Sequence, residues 1–194
     1  MKTREINPQQ KMGQVITAAR TLFVTQGYHN VSIPQIVRNS GVSIGAIYHH
    51  FTNKEGLAKA VHAQTLLQFQ GSFTERMAGC TSTRDKLQAF TDLVFELTEQ
   101  TPETMEYMLL MKHGEFLSDE PPICATEPFR RVQEIIASGM QRKELKQGDS
   151  FIAAIAFTGV ILRAVELRLM GVMKLELTTT KVELFDHAWA AIKA

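Results

Sequence analysis

One spacing runs through almost all of this 194-residue chain. Apolar residues recur at i, i+3, i+4 and i+7, which stacks side chains on one face of an α-helix. Met12, Val15, Ile16, Ala19, Leu22 and Phe23 form the first such stripe. No stretch alternates apolar and polar residues as a half-buried strand does, and neither an internal repeat nor a low-complexity segment is present. The expected fold is therefore all-α, with about nine helices.

Local signals divide the helices. Gly27 stops the first, since glycine tolerates a left-handed backbone. Ser32 can cap the second, with Pro34 tolerated in its first turn and Ile36 and Val37 facing inward. Asn39-Ser40-Gly41 end it, and Ser43 caps a very short helix running through about Tyr48. Thr52-Asn53-Lys54-Glu55 reads as a capping box. It opens a long helix to about Met77, with Leu57, Val61, Leu66, Phe69, Phe73 and Met77 inward. Further stripes follow: Leu87 to Leu97; Met105, Met108, Leu109 and Met111 after Thr101-Pro102; and Phe129 to Met140. Residues 149–170 form an apolar helix interrupted by Arg163, Glu166 and Arg168. Val182, Phe185, Trp189 and Ile192 share the last stripe. The three prolines within 118–128 predict a loop.

Composition excludes several classes. With 44% hydrophobic and 21% charged residues, the chain can bury a sizeable core as an ordinary globular protein. No apolar run reaches the roughly 18 residues that span a bilayer, and the polar start MKTREINPQQKMGQ lacks a signal-peptide core. A cytoplasmic protein without membrane partners is expected. Cys80 and Cys124 stand far apart, without a CxxC spacing, and read as reduced thiols or, less simply, as oxidant sensors. Charge is unevenly spread. Residues 1–60 carry seven Lys/Arg (Lys2, Arg4, Lys11, Arg20, Arg38, Lys54, Lys59) against Glu5 and Glu55, a balance of +5. The remainder holds 14 basic and 18 acidic residues, a balance of −4. Such a block suggests a polyanionic partner, although charge runs are often simply solvated faces.

Residues 32–50 meet the demands of a helix-turn-helix: a packed first helix, a tight turn, and a second helix presenting small side chains to a groove. Gly41 permits the turn and Val42 plugs the joint. Gly45 and Ala46 allow close approach, Ile47 points inward and Phe51 anchors the exit. Tyr48, His49 and His50 then end the helix, where hydroxyl and imidazole N–H groups can reach phosphates. A zinc-binding His pair wants i, i+4 spacing; His49 and His50 are adjacent and point about 100° apart, so no metal site is expected. No cofactor-binding glycine-rich loop appears, and His113/Glu115 and Asp186/His187 lack a nucleophile or third ligand. An enzyme is not expected.

The stretch AARTLFVTQGYHNVSIPQIVRNSGVSIGAIYHHFTNKEGL, from Ala18 to Leu57, resembles the DNA-binding domain of the tetracycline-repressor-like (TetR) family. Ala19, Leu22, Phe23, Gly27, Tyr28, Ser32, Ile33, Ile36, Ser40, Gly41, Val42, Ser43, Gly45, Ile47, Tyr48, His50, Phe51, Asn53, Lys54, Glu55 and Leu57 carry the likeness, which covers about residues 9–60. The resemblance implies a helix-turn-helix domain over 1–53 and a helical effector-binding and dimerisation domain over 54–194. It implies that Ser43, Tyr48, His50 and Lys54 contact the DNA backbone, that Ile44, Gly45 and Ala46 face bases, and that Ser32 lies near a phosphate. His49 joins this set as a neighbour on the same helix end. Relatives commonly carry Lys, Arg or Pro where this chain has Ile44. An isoleucine cannot donate a bidentate bond to guanine; it can meet a thymine methyl or sit idle. Pro34 also replaces a position that is often polar.

One such head reads only a few base pairs, so a homodimer on a near-palindromic double-stranded operator is expected. Phe151, Ile155, Gly159, Leu162, Glu166 and Trp189 are its expected interface. Arg163, Glu166 and Arg168 read equally as a solvated face, as ion pairs across that seam, or as effector anchors. Met105, Met108, Met111, Phe116, Phe129 and Phe157 read either as core or as the lining of an adaptable ligand pocket. The function expected from the resemblance is a sequence-specific transcriptional regulator, a repressor released by a small-molecule effector that shifts helix 54–78 and the spacing of the heads. The alternatives are a ligand-independent global regulator, an all-α enzyme, or a protein-binding scaffold.

Overall fold

The computed structural model describes residues 8–121 and 125–194. Cys124, and Lys2 and Arg4 of the basic block, lie outside the described residues. Nine α-helices are found among the described residues: α1 Pro8–Gln26, α2 Ile33–Ser40, α3 Ile44–Phe51, α4 Lys54–Met77, α5 Thr83–Gln100, α6 Pro102–Leu109, α7 Glu127–Gln141, α8 Ser150–Leu169 and α9 Leu177–Ile192. Single 3₁₀ turns occupy Tyr28–Asn30 and His113–Glu115. The all-α expectation holds.

Two compact units form. One contains the described residues up to Thr65 together with Met111–Glu120, and the other contains Leu66–Leu110 and the described residues from Pro121 onward. The expected domain border at 53/54 coincides with the start of α4, and α4's first half packs within the first unit.

In the first unit, Val15, Ala19 and Phe23 of α1, Ile36 of α2, Ile47 and Phe51 of α3, and Leu57 and Val61 of α4 are buried together with Leu117. Arg20, counted above in the basic block, is buried too, and its Nη1 donates to Thr65 Oγ1 at 3.5 Å. It is therefore withdrawn from any surface that meets a polyanion, because the α1 stripe carries it inward.

In the second unit, Phe69, Phe73, Leu87, Phe90, Phe157 and Phe185 belong to one core. Glu99 of α5 ties three helices. Its carboxylate accepts from Arg168 Nε (2.9 Å) and Nη2 (2.8 Å) on α8, and from the Leu177 backbone N–H that begins α9 (2.9 Å). Arg168 is thereby an internal strut rather than part of a solvated face.

Three local expectations change. By length and composition α8 is apolar enough to cross a membrane. The ionic residues cluster near its C-terminal end and leave an 18-residue window with no more than two of them, so the expectation that no run was long enough is corrected. Here α8 packs in the second unit with Ala154, Phe157, Ile161, Ala164 and Val165 buried. The last stripe splits: Phe185 and Ile192 are buried, whereas Val182 is exposed. Helix α6 ends at Leu109, which leaves Met111 in the segment that joins the first unit.

Candidate nucleic-acid interface

Helix α2 begins at Ser32, whose backbone N–H and hydroxyl both donate to Gln35 Oε1 at 2.7 Å. Proline in the first turn costs nothing there, since that N–H has no intrahelical acceptor. The helix closes on Gly41 at φ 70°, ψ 8°, a left-handed conformation that favours glycine, and the Gly41 N–H donates to the Val37 carbonyl at 2.9 Å. Val42 is buried beneath the turn. Ser43 then caps α3, its hydroxyl accepting the Ala46 N–H at 3.4 Å. The turn, plug and cap all fall where the sequence predicts them.

Helix α3 has two distinct faces. Ile47 is 1% exposed and Phe51 6%, so these residues fasten the helix to its unit. On the outer side Ile44 is 46% exposed and Tyr48 47%. Ser43, Gly45, His49 and His50 are exposed as well, and Ala46 is half-buried. A methyl built on Gly45 would meet nothing within 4 Å, so the backbone there is open to approach. Ala46, His49 and His50 also border a groove whose other wall is Lys11, Met12 and Ile16 of α1. Lys11 and Arg38 are exposed cations of the same unit. Adjacent His49 and His50 find no third ligand: among the described residues no group of three or more His, Cys, Asp or Glu is placed to hold a metal ion.

The exit from α3 departs from the expected capping box. Thr52 has φ 66°, ψ −50°, and the Asn53 N–H donates to the Phe51 carbonyl at 2.7 Å across it. This is a γ-turn of the rarer, strained hand. Thr52 therefore cannot cap α4. Asn53 does so, its Oδ1 accepting the Gly56 N–H at 2.7 Å. Gly56 is required by this arrangement: a Cβ there would stand 2.1 Å from the Phe51 carbonyl oxygen.

Lys54 is half-buried. Its Nζ sits 4.2 Å from the centroid of the Tyr28 ring and donates to the His29 carbonyl at 3.5 Å. Burial pulls its pKa below the ordinary lysine value. Tyr28 in turn stacks on Phe116, with centroids 4.4 Å apart and planes 12° apart. Burial, followed by the Glu55 carboxylate, raises the tyrosine's pKa. In the sequence Tyr28 stands only as a motif position. Its role as a rest for the Lys54 ammonium joins residues 26 apart in the chain, and no local pattern carries that information.

The residues named as a ligand pocket are divided between the two units. Met105, Met108 and Phe157 lie in the core of the second unit. Phe129 is half-buried in that unit, while Met111 and Phe116 belong to the first. Of the residues named for the dimer interface, Phe151, Ile155 and Gly159 form an exposed stripe on α8. Leu162, Glu166 and Trp189 are half-buried, with Glu166 paired to Arg163 at 2.9 Å and Trp189 stacked on Phe185.

Residues 15–61 match the sequence profile of the bacterial regulatory proteins, tetR family. The transposon Tn10 TetC protein of Escherichia coli is 27% identical over 139 residues, 70% of this chain and 68% of that protein. Other curated relatives align over 42–55% of their own length. Among solved structures, the fatty acid degradation regulator FadR from Bacillus halodurans superposes with a TM-score of 0.79 at 19% identity, covering 97% of this chain and 96% of that one. FadR from Bacillus subtilis, solved in complex with stearoyl-CoA, superposes with a TM-score of 0.74 at 21% identity, covering 92% and 98%. At these identities the superpositions establish the fold alone.

Proposed function

We propose that this chain, a member of the tetR family of bacterial regulatory proteins, represses transcription in the cytoplasm by binding a near-palindromic operator as a homodimer and leaves it when a small molecule binds. The observation that carries this reading is the two-faced α3. Its inner residues are spent on packing, and its outer side offers small and ring-bearing residues in a helix-turn-helix setting. Ser32, Ser43, Tyr48, His49, His50 and Lys54 hold phosphates, and Ile44, Gly45 and Ala46 approach bases.

The dimer reading draws on the exposed apolar stripe of Phe151 and Ile155, at 56% and 55% exposure, with Val182 of α9 at 66%. A second copy of the same surface would cover it by two-fold symmetry. The effector reading draws on the structurally similar Bacillus subtilis protein that binds stearoyl-CoA. An effector held in the second unit biases the heads only if it binds one head spacing better than another. Helix α4, continuous from Lys54 to Met77, is the covalent link for that bias. A ligand-independent regulator is the second reading, because Met105, Met108 and Phe157 are at most 2% exposed and fill core rather than line open space.

Gel-shift titrations of the full chain on duplexes selected from a random pool test the assignment. Tyr48→Phe and Lys54→Ala weaken binding to all sequences alike, whereas Ile44→Ala and Ala46→Ser change which sequence is preferred. Affinity falls by about 0.9 log units per log unit of salt for each phosphate neutralised. Unchanged affinity in all four variants refutes the head. Sedimentation of the free protein as a monomer at micromolar concentration refutes the dimer.

A further inference from the structure

We infer that the first turn of α3 reads a thymine methyl through Ile44, so that the operator carries a required thymine in each half-site at the base facing this residue. The inference rests on the head assignment above and adds the chemical class of base that the head selects.

No Lys, Arg, Asp or Glu occurs from Asn39 to Asn53. Within the first turn of α3, the part of such a helix that meets base edges, the side chains are Ile44, Gly45 and Ala46. None of them bears a hydrogen-bonding atom. The preceding Ser43 lies before that turn: its oxygen accepts the Ala46 N–H, and its remaining O–H is the group assigned above to a phosphate. The hydrogen-bonding side chains on the helix, Tyr48, His49 and His50, come a full turn later. Guanine offers the acceptors N7 and O6 to the major groove, adenine an acceptor and an amino donor, and cytosine an amino donor. The first turn answers none of these. Thymine alone adds an apolar group, its C5 methyl.

Single exposed apolar residues are common on surfaces and need no explanation by themselves. Ile44 differs because of its setting. Ile47, one turn on, is 1% exposed and supplies the packing that α3 requires, whereas Ile44 is 46% exposed and the core does not use it. Tyr48, at i+4 from Ile44, lies on the same face, and the open backbone at Gly45 lets that face come close. The helix therefore presents an apolar ridge at the depth of the bases.

The test uses the full chain and the duplex it enriches most strongly from a randomised pool. Each thymine of that duplex is replaced singly by uracil, which keeps the pairing edge and both groove acceptors and removes only the methyl. One thymine per half-site is expected to lose about fourfold in affinity, the worth of one methyl withdrawn from water. In Ile44→Ala, thymine and uracil are expected to bind equally at that position, with other positions unchanged. In Ile44→Lys, selection is expected to return guanine there. Because Ile44 is exposed, both variants should keep the helical circular-dichroism signal of the parent. The inference is overturned if no thymine is methyl-sensitive, or if the sensitivity survives Ile44→Ala. Failure to enrich any sequence overturns the head assignment itself, a different result from enrichment without methyl dependence.

Discussion

Gly56→Ala and Gly71→Ala make the same change in the same helix, and the structure predicts opposite outcomes. Both glycines lie in α4. In an exposed helix interior, alanine gains up to about 1 kcal/mol over glycine by reducing the freedom of the unfolded chain. Gly71 is exposed and a Cβ there meets nothing within 4 Å, so Gly71→Ala should stabilise by about 0.5–1 kcal/mol. At Gly56 the new Cβ would lie 2.1 Å from the Phe51 carbonyl oxygen, and the next nearest atom is also backbone. Ordinary contact is about 3.5 Å, so the two chain segments must part by roughly 1.4 Å. No side chain can rotate away to relieve this. Overpacking of that kind costs about 1–3 kcal/mol. Shifting the first turn of α4 also strains the Asn53 cap, worth about 1 kcal/mol. Against the propensity gain, the net effect of Gly56→Ala should be a loss of about 2 kcal/mol. Urea unfolding at one fixed protein concentration, so that association does not shift the midpoint, measures both variants. On the proposed reading, Gly56→Ala should also weaken operator binding, because Phe51 ends the helix assigned to the bases, although Gly56 itself touches no base in that pose. If both variants gained stability equally, the tight crossing between the end of α3 and the start of α4 would be refuted.

Other outcomes follow from single residues. Ile47→Ala, at a position 1% exposed, should cost about 2–5 kcal/mol in the same unfolding assay, while Ile44→Ala should stay within about 0.5 kcal/mol. The His113 pKa is held down to about 4, chiefly by burial and then by His62, itself lowered by burial. The folded chain therefore refuses protons that the unfolded chain takes up below pH 6.5. Stability is full above that pH and declines as pH falls towards 4. His113→Phe should flatten this part of a pH-stability curve. Glu99→Ala removes the carboxylate joining α5, α8 and α9 and strands a partly buried guanidinium, at a cost of about 2–4 kcal/mol. The Arg168 hydrogen bonds lower the Glu99 pKa, so this contribution is present above the ordinary carboxylate pKa and is lost as pH falls through the lowered one.

Much of the helix-turn-helix was legible without coordinates because its determinants are local. Helical periodicity placed Val15, Ala19 and Phe23 inward, and they are buried. Glycine at a helix end announced the turn, and Gly41 has the left-handed φ that such a turn needs. A serine before a short apolar run announced the α3 cap, and Ser43 fills it. Each of these signals acts within four residues, the range over which backbone hydrogen bonds and side-chain stacking operate in a helix.

Longer-range facts needed the fold. The sequence offers Thr52 as the cap of α4; in the fold Thr52 takes a γ-turn conformation where Gly56 lies against the Phe51 carbonyl, and Asn53 caps the helix instead. Arg20 looked like a surface cation until packing placed it inside. The Lys54–Tyr28–Phe116 stack joins three distant segments, and the Met-rich stripe of α6 parts company with Met111 where residues 111–120 join the first unit. Residue spacing along a chain reports which side chains share a helix face. Which face then meets which, and which charge loses its water, depends on contacts between segments far apart in sequence, and only the tertiary structure specifies these.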